Sequence, residues 1–176
     1  TKDKTSDFIK CFDKLNKFAS YITINISSPN TEGLRNFHEK ELLSDLLAKL
    51  NKLKKDKKIQ CPIVLKISPD IAEKEIFNIN EMILKFRIDG IILTNTTNQY
   101  RENLSDNKKH EKGGLSGLPL QKISLKLIKQ FFKSSKGKVP IIGVGGIDSG
   151  QSAFEKIAAG ATAIQLYTGM VYNGPG

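Results

Sequence analysis

Apolar residues recur along this chain with two alternating periods. A helical spacing, in which apolar side chains return every three or four positions, runs through Asp7 to Ala19, Glu39 to Lys55, Ala72 to Phe86, Gln121 to Phe132 and Gly150 to Gly160. Between them lie short β-branched runs at Tyr21 to Ser27, Pro62 to Ser68, Asp89 to Asn95, Pro140 to Gly146 and Ala163 to Gly169. These are apolar enough to predict strands buried on both faces. Strict alternation of helix and strand predicts an α/β fold around a parallel sheet. Two architectures satisfy the pattern, an open doubly wound sheet and a (β/α)8 barrel, and both bind ligands at the carboxyl ends of their strands.

The polar residues within the strand pattern gather at those ends. The first strand runs into "TINISSPNTEGLR", Thr23 to Arg35, which holds more hydroxyls and amides than a turn needs. Lys66 places a charge near the end of the second strand, Thr94, Asn95 and Thr96 close the third, Gly145 and Gly146 the fourth, and Tyr167 and Thr168 the fifth. One site assembled from five strands is the reading this suggests. Because a barrel needs eight strands and typically about 250 residues, five β/α units in 176 residues predict an incomplete barrel. On this reading residues 1–176 are a single partial domain, with the first strands and the final covering helix expected outside it.

Composition narrows the function classes. The 39% hydrophobic content suits one domain with a sizeable core, and no apolar run approaches the roughly 18 residues of a membrane span. Thr1 begins no signal-peptide pattern, so a soluble chain is expected. Two cysteines, Cys11 and Cys61, form neither a CxxC pair nor a cluster with His38 or His110, which opposes a disulfide scaffold or a zinc site. Both histidines are expected to be exposed loop residues. The net charge of +10 raises nucleic acid as a partner, and its densest patch is Lys49 to Lys58. That patch alternates with Leu42, Leu43, Leu46, Leu47, Leu50 and Leu53 and has no interleaved aromatics, so it reads as the wet face of an amphipathic helix.

Individual motifs are weaker than their sum. "GVGGIDSG", Gly143 to Gly150, lacks the third glycine of a dinucleotide fingerprint because Asp148 stands there, leaving a glycine turn able to approach a phosphate or simply a tight turn. Lys66 is either an outward residue of an edge strand or a cation held for a developing anion. Thr94 to Thr96 fit a cap or a ligand site, and Tyr167 fits packing equally well. "EKGGLSGLPL", Glu111 to Leu120, reads as a loop with a glycine hinge, a candidate lid.

Taken together, "INISSPNTEGLR", "IVLKISPD", "DGIILTNTT", "GGLSGLPL", "VPIIGVGGIDSG", "EKIAAGA" and "IQLYTGMVYNGP" resemble consecutive blocks of the dihydroorotate dehydrogenase family, in order and over nearly the whole chain from Asp7 onward. The resemblance implies an FMN-dependent (β/α)8 barrel oxidising dihydroorotate to orotate in pyrimidine synthesis. Serine at position 28, where the class 1 loop resembles one carrying cysteine, implies the class 2 type, which passes electrons to a membrane quinone. It further implies Ser28 as catalytic base and Thr31 as its proton relay. Asn25, Asn30, Asn95 and Thr96 become substrate ligands. Lys66 is implied at the flavin edge, with Asn25, Thr94, Gly117, Gly145, Gly146, Tyr167 and Thr168 completing the cofactor site.

The implied setting is peripheral, on the cytoplasmic face of a bacterial inner membrane or on the mitochondrial inner membrane. Membrane contact would come through segments absent from this chain, and no nucleic-acid partner is expected. Two alternatives stay open, another FMN-barrel oxidoreductase such as a class 1 or dihydropyrimidine dehydrogenase, and a basic nucleic-acid-binding module.

Overall fold

The computed structural model describes residues 3–102 and 104–175, so Thr1, Lys2, Gly176 and Asn103 of the charged loop fall outside the described residues. Helix α1 (Lys4–Leu15) leads into strand β1 (Ile22–Asn25), followed by α2 (Lys40–Asp56), β2 (Ile63–Ile67), α3 (Glu73–Lys85) and β3 (Gly90–Leu93). After a long connection come α4 (Gln121–Ser135), β4 (Ile141–Val144), α5 (Gly150–Ala158), β5 (Ala163–Gln165) and the short α6 (Thr168–Asn173). All five strands pair in parallel in the order β1-β2-β3-β4-β5. That order separates the two candidate architectures. A doubly wound sheet reverses direction at a switch point, whereas successive barrel strands add to one side in sequence order.

Helices α2, α3 and α4 are held by their apolar stripes. Leu43, Leu46, Leu47 and Leu50 of α2, Ile76, Ile79 and Ile83 of α3, and Leu127, Ile128 and Phe131 of α4 are buried in one cluster with Ile63, Leu65, Ile67, Ile91 and Leu93 of the sheet. Leu42 is exposed and Leu53 only partly buried, so the inward stripe of α2 is narrower than its leucines suggest. On the outer face Lys49 pairs with Asp45, Lys52 with Asp56, Lys54 with Asp89 and Lys57 with Asp13. Much of the densest positive patch is thus paired within the chain. Among the described residues no helix is long and apolar enough to cross a membrane.

Two expectations are corrected. The fifth strand stops at Gln165 and the chain enters α6 at Thr168, so the run Ala163 to Gly169 overstates it. Gly169 lies in α6, where a Cβ would be 2.4 Å from the Ile147 carbonyl oxygen, so α6 runs close against the loop after β4. His38 is not an exposed loop residue. It lies in a 3-10 turn at Arg35–His38, is 4% exposed, and its Nε2 has no hydrogen-bond partner among the described residues.

Burial pushes the His38 pKa from 6.5 down to about 4, with Glu75 opposing and Arg35 adding to the shift. Folded His38 therefore binds fewer protons than unfolded His38 between these values, and stability falls as pH drops through that window. The effect is on the order of 3 kcal/mol. Urea unfolding of the full-length protein at pH 7 and pH 4.5 should show this extra loss in the parent and not in His38→Gln; equal losses in both would remove His38 from the account.

Candidate active site at the carboxyl edge of the sheet

Parallel strands put every β-to-α loop on one edge, and the singled-out residues meet there. Asn25 ends β1, in register with Lys66 of β2, which is itself in register with Ile92 of β3. Beyond the strand ends, the Asn95 side chain donates to Asn25 Oδ1 at 3.2 Å and to Ser27 Oγ at 3.0 Å, while Ser27 Oγ donates to Asn25 Oδ1 at 2.9 Å. Backbone bonds hold the same region, from Asn95 N–H to the Ile67 carbonyl and from Thr94 N–H to the Val144 carbonyl. The Asn95 Oδ1 then accepts the Thr96 N–H at 2.8 Å. The amides of Asn25 at the end of β1 and Asn95 just after β3 are thereby locked side by side.

Ser28 follows directly, half-buried, with its Oγ accepting the Asn30 N–H at 3.3 Å. This local bond bends the chain back through Pro29. Asn30 and Thr31 are exposed on the same loop. The structure therefore separates the predicted set into two neighbouring groups, because a cleft of about 880 Å³ beside the loop is lined by Lys66, Thr94, Asn95, Thr96, Gly117, Gly145, Gly146, Tyr167 and Thr168 but not by Asn25, Ser28, Asn30 or Thr31. Asn95, through its bonds to Asn25 and Ser27, belongs to both groups, with Thr96 held against it. They form the shared wall.

The cleft is of the size that small-molecule and cofactor sites occupy, roughly 300–1,000 Å³. Lys66 is the cation at its β2 end, has no ion-pair partner among the described residues, and its pKa is lowered by burial. A desolvated cation of this kind favours a bound group that carries or develops negative charge. At the far end Gly145 and Gly146, at φ +106° and +69°, turn the chain after β4. Thr168, at the start of α6, donates from Oγ1 to Ser116 Oγ at 3.0 Å, and Gly117 packs on its methyl group. Tyr167 is 79% exposed, so packing does not account for it. The residues present fit an elongated ligand with an anionic head near the glycine turn and a polar ring system near Lys66.

Two residues of the site were not singled out in the sequence. Ser27 is fully buried and bridges the two asparagines, and its signal was available, since it shares strand parity with Asn25. Gly114 was read only as part of a hinge. A Cβ there would fall 1.9 Å from Thr96 Oγ1 and 3.0 Å from Pro29, so the loop is seated on the site at this point, and Thr97 pairs with Leu115 beside it.

Relatives decide what family builds this edge. The family model for dihydroorotate dehydrogenase matches residues 1–176. This chain belongs to the dihydroorotate dehydrogenase family. It is 45% identical over 178 residues to the dihydroorotate dehydrogenase (quinone) of Buchnera aphidicola, covering 99% of this chain and 53% of that protein. It is 46% identical over 173 residues to the protein of the same name from Hamiltonella defensa, covering 96% and 52%. The crystal structure of the Eimeria tenella enzyme in complex with ferulenol superposes with a TM-score of 0.92 at 36% identity, over 97% of this chain and 50% of that one. The chain thus spans about half the length of the family members it matches. The five-stranded sheet is the corresponding part of the barrel of these dehydrogenases.

Proposed function

We propose that the full-length protein oxidises dihydroorotate to orotate with FMN as bound cofactor and a quinone as electron acceptor, and that residues 1–176 supply half of the barrel and most of its site. The observation that carries this reading is the shared wall. Asn95 lines the cleft of Lys66 and donates to Asn25 and Ser27 beside Ser28, so a substrate held by the amides would lie against a cofactor held in the cleft. The names of the relatives support dihydroorotate and quinone as the reactants. When bound, FMN supplies the hydride acceptor and the relay of electrons to quinone.

The chain's own groups do the rest. As Ser28 Oγ takes the proton from substrate C5, its own hydroxyl proton passes by way of Thr31, exposed on the same loop, towards water. Asn25, Asn30, Asn95 and Thr96 hold the planar ring and carboxylate so that the reacting carbon stays in line. Lys66 stabilises negative charge at the cofactor edge, while Thr94, Gly117, Gly145, Gly146, Tyr167 and Thr168 bind the remainder of FMN. Contact with a bacterial or mitochondrial inner membrane, as a peripheral protein, belongs to other parts of the full-length protein. Serine rather than cysteine at position 28 favours this reading over a class 1 flavin barrel.

The test is anaerobic mixing of the full-length flavoprotein with dihydroorotate. Bound flavin should lose its visible absorbance and regain it on adding a soluble quinone, and not on adding fumarate or NAD. Flavin that dithionite reduces but dihydroorotate does not would overturn the proposal.

A further inference from the structure

The hydrogen bonds of the ion pair between Arg35 and Asp70 reach no side chain lining the cleft among the described residues. Asp70 is 3% exposed at its side chain and its carboxylate is fully engaged. Arg35 Nη1 donates to Asp70 Oδ2 at 3.1 Å, the Asn98 N–H donates to the same oxygen at 2.9 Å, and Thr97 Oγ1 donates to Oδ1. Its own backbone is fixed, since the Asp70 N–H donates to Ser68 Oγ at 3.1 Å. The other Arg35 nitrogens reach two backbone carbonyls, Nε to Ser27 at 3.4 Å and Nη2 to Thr96 at 3.4 Å.

Those two carbonyls belong to the residues just before Ser28 and just after Asn95. One guanidinium thus links the loops after β1 and β3, and one carboxylate anchors it to the loop after β2. A planar fork with five donors can span three acceptors in fixed directions, and an ammonium cannot. We infer that Arg35 and Asp70 are a positioning pair that sets Ser28 against the amide ligands. This rests on the proposed function above. Neither residue touches substrate. Their contribution is the register between base and substrate, and misplacement on the scale of 1 Å costs on the order of a hundredfold in rate.

The experiment is a cycle in the full-length flavoprotein, combining Arg35→Lys with Ser28→Ala and following flavin reduction by dihydroorotate in a stopped-flow spectrometer. Arg35→Lys should slow reduction by roughly ten- to a hundredfold when Ser28 is present. In the Ser28→Ala background it should change the rate less than about threefold, because the group it positions is gone. Quinone reoxidation should be unchanged, and amide exchange should rise in residues 26–36 and 96–98 of the same variant, with or without flavin. Asp70→Asn removes the charge and keeps a single acceptor oxygen for the Asn98 N–H, its NH2 turned to Thr97 Oγ1, which can accept, and should give the same pattern if Arg35→Lys does not fold. Equal slowing in both backgrounds, or none in either, overturns the inference. Failure of dihydroorotate to reduce the parent flavin would instead overturn the proposed function.

Discussion

Gly146→Ala in the full-length protein is expected to purify with little or no flavin and to melt well below the parent. Gly146 adopts φ +69°, where a side chain is already disfavoured, and a Cβ there would lie 2.5 Å from both the nitrogen and the Cα of Gln121. Real Cβ contacts do not come this close, so backbone must move. Gln121 begins α4, and its carbonyl is held at 3.1 Å by the ammonium of Lys156, itself 1% exposed with a pKa lowered by burial to about 8. Neither side can yield cheaply. The left-handed conformation costs roughly 1–2 kcal/mol and the overpacking about 1–3 kcal/mol more. The displaced turn is also the end of the cleft assigned to the cofactor's anionic head, so cofactor loss should accompany the drop in melting temperature. Gly150→Ala is the control, since a Cβ there meets nothing within 4 Å at the start of α5, and it should leave both properties intact. Visible absorbance per protein and a thermal melt read the two outcomes. Parental flavin content and melting temperature in Gly146→Ala would show that the turn after β4 has neither role.

Much of the fold was legible because it rests on local periodicity. The leucines of α2 and the β-branched runs of β2 and β3 each bury one stripe or both faces, and such patterns survive in a single sequence. The convergence of polar residues at one edge was legible for the same reason, since a parallel sheet leaves its loops no other place. What was not legible depends on contacts between distant segments. His38 reads as a polar loop residue until its 3-10 turn packs it into the interior. The close approach of Gly169 in α6 to the Ile147 carbonyl, twenty-two residues earlier, likewise carries no local signal. Gly114 signals flexibility in sequence and close packing in space. Arg35 and Asp70 are separated by thirty-five residues and carry no joint pattern, although each stands inside a motif that was quoted. The separation of Ser28 from the cleft wall could likewise not be read from residue types, because both groups lie at the same edge.

Ser28→Ala in the full-length flavoprotein is the second large effect expected. A serine hydroxyl scarcely ionises in neutral water, so it serves as a base only where the site holds substrate, acceptor and an exit for the proton in register. The loop provides these elements, with Oγ fixed by the Asn30 N–H, the amide pair anchored through Ser27, and Thr31 exposed beside it. Removing the hydroxyl would take away the proposed proton acceptor and leave the cleft lining unchanged, so cofactor content should be parental. Ser28→Cys, with a thiol that ionises more readily, should retain part of the rate if the loop accepts the larger sulfur. Stopped-flow absorbance of the bound flavin separates the two half-reactions and bears most directly on the claim that this strand-end serine is the base. Reduction by dihydroorotate should slow by roughly 10²–10⁴-fold in Ser28→Ala while reoxidation by quinone stays within about twofold of the parent. Reduction at the parental rate in a Ser28→Ala protein that still holds its flavin would contradict the account.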